Sequence, residues 1–458
     1  MNRDMTTGHD WKVILIFTLP IMAGNLLQQL YTVVDGIIVG NFVGEHALSA
    51  TGTCIPLVIL FLSFAIGMSV GGGILISQYF GARRTDDLHV ASSTIIIMMG
   101  ALGLLMTVLG LIVSKPILEH VMNTPEENDI LNLAVQYFQI YCLGIFFQFV
   151  YNAISSMLRN IGNSKAMLYF LAVSAVLNTA LDLLFVAVFD FGVAGAAAAT
   201  TISQAVCAVV SYIYMIKKAP ILCPKRESGL FDKNMCKMTL RLGLPAAIQQ
   251  SILSCGHVVM QRLVNSFGSA SMSAYTTAGM VEQFALIPLF SFNAGISTFT
   301  GQNIGAGKIE RAKKGMLRTH IMSMAASAAA IFVLLLFTEE IVGLFGLGGD
   351  ALSRSMEEIH YIAPWYLLCS VYFIIGGFLQ GAGDVLCPMI ATITALVSRV
   401  VFGYVSVHIG LFSYDAPWAV VPATWLLGLI INLTRYLSGA WKGKSVSDRS
   451  QENIETPQ

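Results

Sequence analysis

The sequence predicts an all-α integral membrane protein with twelve transmembrane helices in two six-helix halves. The first observation is composition: 55% of the 458 residues are hydrophobic and only 11% are charged, which leaves too little polar surface for a soluble protein of this length. The second is the length of the apolar stretches, many of which could cross a hydrocarbon core of about 30 Å. The third is an internal repeat, which divides these stretches into two equal sets.

Each apolar stretch reaches the roughly 20 residues that a transmembrane helix needs. The twelve stretches are 13–40, 48–79, 90–114, 131–158, 166–189, 192–216, 241–267, 272–302, 319–338, 359–380, 386–409 and 416–440. The first is too long for the apolar core of a signal peptide and is followed by no small-residue cleavage site. We therefore expect it to be retained as a helix of the protein.

The repeat is visible as identical residues 224 positions apart. The pairs are Gly44 and Gly268, Ser49 and Ser273, Ala50 and Ala274, Thr53 and Thr277, Gly71 and Gly295, Gln78 and Gln302, Gly81 and Gly305, and Ala82 and Ala306. Duplication of a helical membrane bundle is typical of carriers, whose two halves rock around a central site. The repeat therefore indicates a transporter.

The basic residues predict the orientation, because loops rich in Lys and Arg stay in the cytoplasm. All but four of the 26 Lys and Arg residues lie in alternate segments on one side. Both termini are therefore expected in the cytoplasm, and the two repeats should run parallel. The predicted division is an amino-terminal lobe at 1–217 with helices 1–6, a linker at 218–240, a carboxy-terminal lobe at 241–441 with helices 7–12, and a tail at 442–458.

Several function classes find no support in the sequence. The eight cysteines are scattered, with neither a disulfide framework nor zinc spacing. No H-E-x-x-H motif, nucleotide loop or close histidine grouping occurs, so we expect no enzymatic activity and no cofactor. The basic residues are segregated by topology rather than clustered, which argues against a nucleic-acid partner.

Acidic residues inside the predicted spans are the strongest candidates for function. An ionised carboxylate near the bilayer centre costs about 2.5–3.5 kcal/mol on insertion scales, so its retention needs a reason. Counting along the helices places Asp35, Asp182 and Thr200 roughly 9–12 Å below the outer surface. Asn178 lies four residues before Asp182 and shares its face. These residues are expected to form one polar layer.

The first helix adds Gln28 and Tyr31 to this layer, because their spacing places them with Asp35 on one stripe. A set of carboxylate, amide and hydroxyl oxygens suits Na⁺, and no other metal is expected. Two close carboxylates equally suit a proton. An intramembrane Asp could instead be a neutral residue that joins helices by hydrogen bonds. The residues alone leave these alternatives open.

Two further features concern the carboxy-terminal lobe and the helix ends. Glu282 and Arg399 have similar estimated depths, so a structural ion pair and a coupling role are both open for them. Pro20 and Pro245 lie early in helices 1 and 7, where a missing hydrogen bond would permit bending.

Several segments together resemble the multidrug and toxic compound extrusion (MATE) family. They are LPIMAGNLLQQLYTVVDGIIVGNFVGEHALSATG (19–52), SQYFGARRTDD (77–87), LRNIGNSKAM (158–167), LNTALDLLFVAVFDFGVAGAAAATTISQ (177–204), GQNIGAGKIERAKK (301–314) and LQGAGD (379–384). The resemblance covers nearly the whole chain. It implies two six-helix lobes around a V-shaped cavity, and cation-coupled antiport of amphipathic organic cations by a monomer in the bacterial plasma membrane.

The resemblance also implies roles for individual residues. Asp35 in VVDGIIVG, the Asn178 and Asp182 pair in LNTALD and Thr200 in AATTISQ match coupling positions, with Gln28 and Tyr31 as polar partners. Tyr137 and Asn152 on the fourth helix are expected to complete the network. No acidic residue occurs at 241–267, unlike the NorM type, so the chain looks closer to the DinF-like or MepA-like branch.

Two other carriers compete with this interpretation. A lipid-linked oligosaccharide or lipid flippase of the same superfamily would need several basic cavity residues, and only Arg262 and Arg399 lie in spans. A major facilitator transporter would need its Asp-Arg-x-Gly-Arg loop, whereas residues 81–88 read GARRTDDL. We therefore expect a cation-coupled efflux antiporter, with the flippase as the alternative.

Overall fold

Long α-helices make up the protein in a computed structural model, which describes residues 3–42, 45–122 and 128–445. Within these ranges, no side-chain description covers 32–42, 45–49, 120–122, 128, 129, 226, 254, 255, 257 and 258. The described residues contain no β-strand. The predicted all-α architecture is confirmed.

The first half contains six helices and a short π-helical turn. They are α1 (Asp10–Phe42), α2 (Glu45–Gly81), α3 (Thr85–Met122), α4 (Asn128–Asn160), α5 (Ser164–Asp182) with the π turn Leu183–Val188, and α6 (Gly192–Lys218). The connection to the second half has only the 3₁₀ turns Pro220–Leu222 and Arg226–Ser228. Every helix of this half overlaps its predicted span.

In the described residues of the second half there are nine α-helices, several of which follow one another within a single span. They are α7 (Lys233–Asn265), α8 (Ser269–Gly305), α9 (Ile309–Leu336), α10 (Thr338–Gly343), α11 (Gly349–Ile362), α12 (Tyr366–Gly381), α13 (Leu386–His408), α14 (Ala416–Ala419) and α15 (Val421–Leu437). In the described chain, eleven helical stretches are long and apolar enough to cross a membrane. The remaining predicted span, 241–267, corresponds to α7, which has 33 residues.

The helices pack into two compact units whose membership crosses the sequence halves. The first unit comprises Ala23–Ser251 with the residues up to Arg3, and the second comprises Asp4–Met22 with the residues from Ile252 onward. Helices α1 and α7 are therefore each divided: α1 passes from the second unit to the first after Met22, and α7 passes from the first to the second after Ser251. The amino-terminal part of α1 therefore packs with the second repeat, and the amino-terminal part of α7 packs with the first.

Repeated glycines make this packing possible. A Cβ on Gly71 of α2 would lie 2.3 Å from the backbone nitrogen of Gly243 on α7. Its repeat partner, Gly295 of α8, is similarly close to α1, since a Cβ there would lie 2.4 Å from Thr18 Oγ1. A side chain on Gly71 would meet backbone atoms that cannot move aside, whereas one on Gly295 would require the Thr18 hydroxyl to turn away. The repeat has preserved a residue that lets two helices approach closely.

The segment before α1 is fixed to the second unit by its backbone. Met5 is fully buried, and its N–H donates to Gln302 Oε1 at 2.9 Å. Its carbonyl accepts from Asn303 Nδ2 at 3.3 Å and from Arg311 Nη2 at 3.2 Å. Gln302 is one of the repeated residues, so the glycine-rich end of α8 anchors the chain that leads into α1.

Candidate functional site

The site in the first unit is centred on the carboxyl end of α5. The α-helix ends at Asp182, and the next residues form the π turn, in which the Phe189 N–H donates to Leu184 O at 3.0 Å. Asp190 and Gly192 then adopt positive φ angles of 54° and 56° before α6 begins. A π turn inserts one extra residue and is frequent at functional sites. Asp182 therefore lies at the point where the α-helix passes into the π-helical turn.

Burial makes the polar groups of α5 costly unless they interact with one another. Asn178 is 1% exposed and Asp182 is fully buried. The two lie one turn apart on the same face of α5, as the sequence predicts. Thr200 of α6 and Tyr31 of α1 approach from neighbouring helices and are partly exposed. The structure thus brings four of the predicted residues together.

The amide of Asn178 is the centre of this group. One end lies 2.6 Å from Asp182 Oδ2 and 3.1 Å from Tyr31 Oη. The other end lies 3.2 Å from the Thr200 backbone nitrogen and 3.3 Å from Thr200 Oγ1. With its NH₂ toward an ionised Asp182, Asn178 donates to the carboxylate and to Tyr31, and its carbonyl accepts from the Thr200 N–H.

The opposite amide orientation suits a protonated Asp182. The acid O–H could then donate to the Asn178 carbonyl, while Nδ2 donates to Thr200 Oγ1 at 3.3 Å. The 2.6 Å separation is short for an N–H···O bond, which usually measures about 2.7–3.2 Å, but ordinary for O–H···O at about 2.5–3.0 Å. In this orientation the Asn178 NH₂ also faces the Thr200 N–H at 3.2 Å, so the heavy-atom positions fit the ionised state of Asp182 better.

The other predicted residues of this unit have different surroundings. The side chain of Asp35 lies outside the described residues. Gln28 is exposed on α1. Tyr137 stacks on Tyr141 at 6.3 Å between ring centroids. Asn152 donates to the Gln148 carbonyl of its own helix at 2.8 Å. The roles assigned to these residues stay predictions.

Sequence reasoning missed polar residues on α4 and α6. Tyr141 Oη donates to Gln148 Oε1 at 3.2 Å, and Thr201 Oγ1 donates to the Ile140 carbonyl at 3.0 Å, which joins α6 to α4. Tyr141 and Gln148 lie seven residues apart, the same helical spacing that identified Gln28 and Asp35. Applying that spacing to the fourth span could have found them.

Of the predicted residues of the second unit, Arg399 contacts a tyrosine. Arg399 Nη2 donates to Tyr275 Oη at 3.2 Å. Among the described side chains, no ion pair joins Arg399 to Glu282. Their pairing stays a prediction. Pro20 and Pro245 lie inside α1 and α7, and both helices continue through them.

No group of three or more His, Cys, Asp or Glu side chains that could hold a metal occurs in the described part of the chain. The oxygen atoms that could contact a small cation are those of Asp182, Asn178, Thr200 and Tyr31. They are hard ligands, which suit Na⁺ rather than a transition metal.

Paired repeats of long apolar helices, with a buried polar group inside one of them, define a polytopic membrane transporter. The chain belongs to the MatE family, whose sequence model matches residues 20–184 and again 245–405. The two matches correspond to the two repeats. The family indicates a transporter rather than a catalytic enzyme, and a multi-pass membrane protein.

Similar proteins agree with this assignment. The chain is 30% identical over 447 residues to "Probable multidrug resistance protein YoeA" of Bacillus subtilis (strain 168), covering 95% of each chain. It is 23% identical to "Multidrug export protein MepA" of Staphylococcus saprophyticus, covering 93% of this chain and 94% of the relative. These bacterial relatives confirm the family that the sequence motifs resemble.

Solved structures confirm the fold. "Crystal structure of MATE in complex with MaL6" matches with a TM-score of 0.88 at 22% identity, covering 96% of this chain and 99% of that chain. "Outward-facing conformation of a multidrug resistance MATE family transporter of the MOP superfamily" matches with a TM-score of 0.86 at 23% identity, covering 96% and 99%.

Proposed function

We propose that the protein is a cation-coupled multidrug efflux antiporter that exports amphipathic organic cations by alternating access. Names of relatives such as the multidrug export protein MepA support the direction and the breadth of transport. The observation that carries the coupling is the contact of 2.6 Å between the Asn178 amide and Oδ2 of Asp182, whose carboxyl group is fully buried. A carboxyl group held there can change its charge only by binding a cation.

The coupling ion binds at Asp182 together with Asn178 and Thr200, and with Asp35 as the second carboxyl group. We favour a proton over Na⁺, because the buried carboxyl group of Asp182 can bind a proton without any further ligand. Na⁺ would instead need several oxygen ligands at once. Proton binding needs only the carboxyl group, and the Asn178 amide can accommodate either state by turning about its side-chain bond.

Antiport follows from the competition between two cations for one negative charge. An organic cation gains from an ionised carboxylate in a membrane interior, where the charge is poorly screened. When the coupling cation neutralises Asp182, that attraction is lost and drug affinity falls. Each ligand thereby favours a different state of the carrier, which is the requirement for coupling the two fluxes.

The site of action is the bacterial plasma membrane, with both chain termini in the cytoplasm and the protein active as a monomer. Flexure at Pro20 and Pro245 would accompany the change of access. The substrates need no fixed geometry, because cation–π and methionine contacts adapt to different molecules.

Transport into inverted membrane vesicles tests the proposal. A fluorescent organic cation is offered with a proton gradient alone, with a Na⁺ gradient alone, and with neither. We expect accumulation with the proton gradient and none without a gradient. Accumulation driven only by Na⁺ would reassign the coupling ion, and the absence of accumulation under all conditions would overturn efflux of organic cations.

A further inference from the structure

One face of α9 is turned away from the other helices of the second unit. Its opposite face packs inside that unit, where a Cβ on Gly315 would lie 2.1 Å from the ring of Phe299 on α8. Two turns further along α9, Ser323 Oγ accepts a hydrogen bond from Ser370 Oγ of α12 at 2.8 Å. These contacts fix the rotation of α9 about its own axis, and therefore decide which of its side chains point outward.

The outward face of α9 is apolar along the helix and basic at its amino-terminal end. Leu317 and Ile321 are 61% and 60% exposed, and Phe332, about three turns further, is 64% exposed. In a helix of 28 residues that can cross a membrane, such side chains contact the acyl chains of lipids. Lys314 and Arg318 are exposed on the same face, one helical turn apart. Their two charges therefore lie where the apolar face begins.

Five basic residues occur at 308–318, and three of them have partners within the protein. Lys308 Nζ donates to the Thr6 carbonyl at 2.9 Å, Arg311 Nη2 donates to the Thr7 carbonyl at 2.8 Å, and Lys313 Nζ lies 2.6 Å from Glu310 Oε1. In contrast, the side chains of Lys314 and Arg318 have neither an ion pair nor a hydrogen bond among the described residues. Two positive charges on the outward face thus lack a counterion within the protein.

α9 itself offers no second carboxylate to balance these charges. Glu310 is the only acidic residue in its sequence, and the carboxylate of Glu310 is already bonded to Lys313. Basic residues at the end of a membrane-spanning helix attract anionic lipid headgroups. The counterion of Lys314 and Arg318 should therefore come from the surrounding bilayer.

We propose that Lys314 and Arg318 bind the phosphate of an anionic phospholipid whose acyl chains lie along Leu317 and Ile321. Side chains one turn apart have Cβ atoms about 5–6 Å apart, so one phosphate group can accept hydrogen bonds from both basic residues. The guanidinium can bind two phosphate oxygens at once, and the ammonium adds a compact charge. Contact with Leu317 and Ile321 continues the site from the headgroup to the chains.

The net charge and the chains of the ligand determine the expected selectivity. In a zwitterionic phospholipid, the ammonium group of the headgroup is repelled by the two basic side chains and offsets the attraction of its phosphate. Inorganic phosphate has the charge but cannot contact the apolar face. An anionic phospholipid such as phosphatidylglycerol supplies both the net negative charge and the acyl chains.

Native mass spectrometry of the full-length protein in detergent, without drug, tests the site. Dioleoylphosphatidylglycerol and dioleoylphosphatidylcholine are titrated separately, and inorganic phosphate is then added as a competitor. We expect phosphatidylglycerol to bind more tightly than phosphatidylcholine and to stay bound when phosphate is added. Equal affinity for the two lipids would overturn the proposal. Displacement by an equal concentration of inorganic phosphate would also overturn it, because the acyl chains would then contribute nothing.

The double variant Lys314→Gln with Arg318→Gln should bind phosphatidylglycerol about thirtyfold more weakly, which corresponds to about 1 kcal/mol for each basic residue. Its affinity for phosphatidylcholine should stay as in the wild type. Lys225→Gln with Lys233→Gln is the matched control, since it removes the same charge from exposed residues in and beside the connection between the halves. Equal affinities of the two double variants for phosphatidylglycerol would contradict the assignment to α9.

Thermal unfolding in detergent provides a second measurement, because a ligand that binds the folded protein raises its unfolding midpoint. Phosphatidylglycerol should raise the midpoint of the wild type and of the Lys225→Gln with Lys233→Gln control. It should raise that of the Lys314→Gln with Arg318→Gln variant much less. An equal rise in all three proteins would place the stabilising lipid elsewhere. Both measurements are made without drug, so failure of this site and failure of efflux are distinguishable.

Discussion

The Asn178 amide lies 2.6 Å from Asp182 Oδ2, one helical turn along α5, with Thr200 3.3 Å from its other end. An amide has a donor end and an acceptor end, and here each end faces groups that could complement either orientation. Protonation of the buried carboxyl group would reverse which end should face it. The pair can therefore transmit a change of charge at Asp182 into a change of hydrogen bonding at α6.

Asp182→Asn should abolish coupled export. The amide cannot ionise, so the carrier loses the charge for which proton and drug compete. We expect drug accumulation in inverted vesicles to fall at least tenfold. Asp190→Asn is the matched control, because Asp190 is exposed and has a positive φ that Asn tolerates. Export by Asp182→Asn equal to that of the control would contradict the assignment.

Removal of the Asn178 side-chain amide should distinguish a proton from Na⁺ as the coupling ion. For a proton site, Asn178→Ala should change the pH profile of export and show no dependence on Na⁺, because the amide only hydrogen-bonds the carboxyl group. For a Na⁺ site, Asn178→Ala and Thr200→Ala should both raise the Na⁺ concentration needed for half-maximal export. Thr179→Ala, at the adjacent position, should leave both dependences as in the wild type.

Gly71→Ala should prevent stable packing of the first unit. The added Cβ would lie 2.3 Å from the Gly243 nitrogen, and both partners are backbone, which cannot move aside locally. We expect a large fall in the thermal unfolding midpoint in detergent. Gly279→Ala is the control, since nothing lies within 4 Å of its Cβ, and it should be neutral or stabilising by up to about 1 kcal/mol. Equal midpoints for the two variants would show that the close approach is not required.

The ion pair of Asp384 and Arg435 should contribute to stability where an exposed pair does not. Their atoms are 2.6 Å apart, and the Asp384 side chain is 3% exposed while that of Arg435 is 30% exposed. Asp384→Ala should lower the free energy of unfolding by roughly 2 kcal/mol, because the charge of the Arg435 guanidinium is left unpaired and partly desolvated.

Glu119→Ala provides the comparison for that pair. The Lys115 and Glu119 side chains are 3.8 Å apart and are 68% and 49% exposed. Loss of this ion pair should therefore lower the free energy of unfolding by less than about 0.5 kcal/mol. Thermal unfolding in detergent measures both variants. A loss on Glu119→Ala as large as that on Asp384→Ala would refute the ranking by burial.

The sequence by itself determined the helices, the repeat and part of the site. Hydropathy and segment length are local properties, so the apolar stretches could be located without knowing how they pack. The i, i+4 spacing of Asn178 and Asp182 is likewise local, and it predicted their shared face correctly. The family motifs then supplied the class of protein.

Only the tertiary structure decided which residues meet between helices. It joined Tyr31 to Asn178, and it showed that Gly71 and Gly295 are repeated because another helix passes close to each. It also buried Glu358, which lies one residue before the predicted span at 359–380. Such contacts depend on helix ends, rotation and crossing, because a shift of one residue turns an α-helical side chain by about 100°.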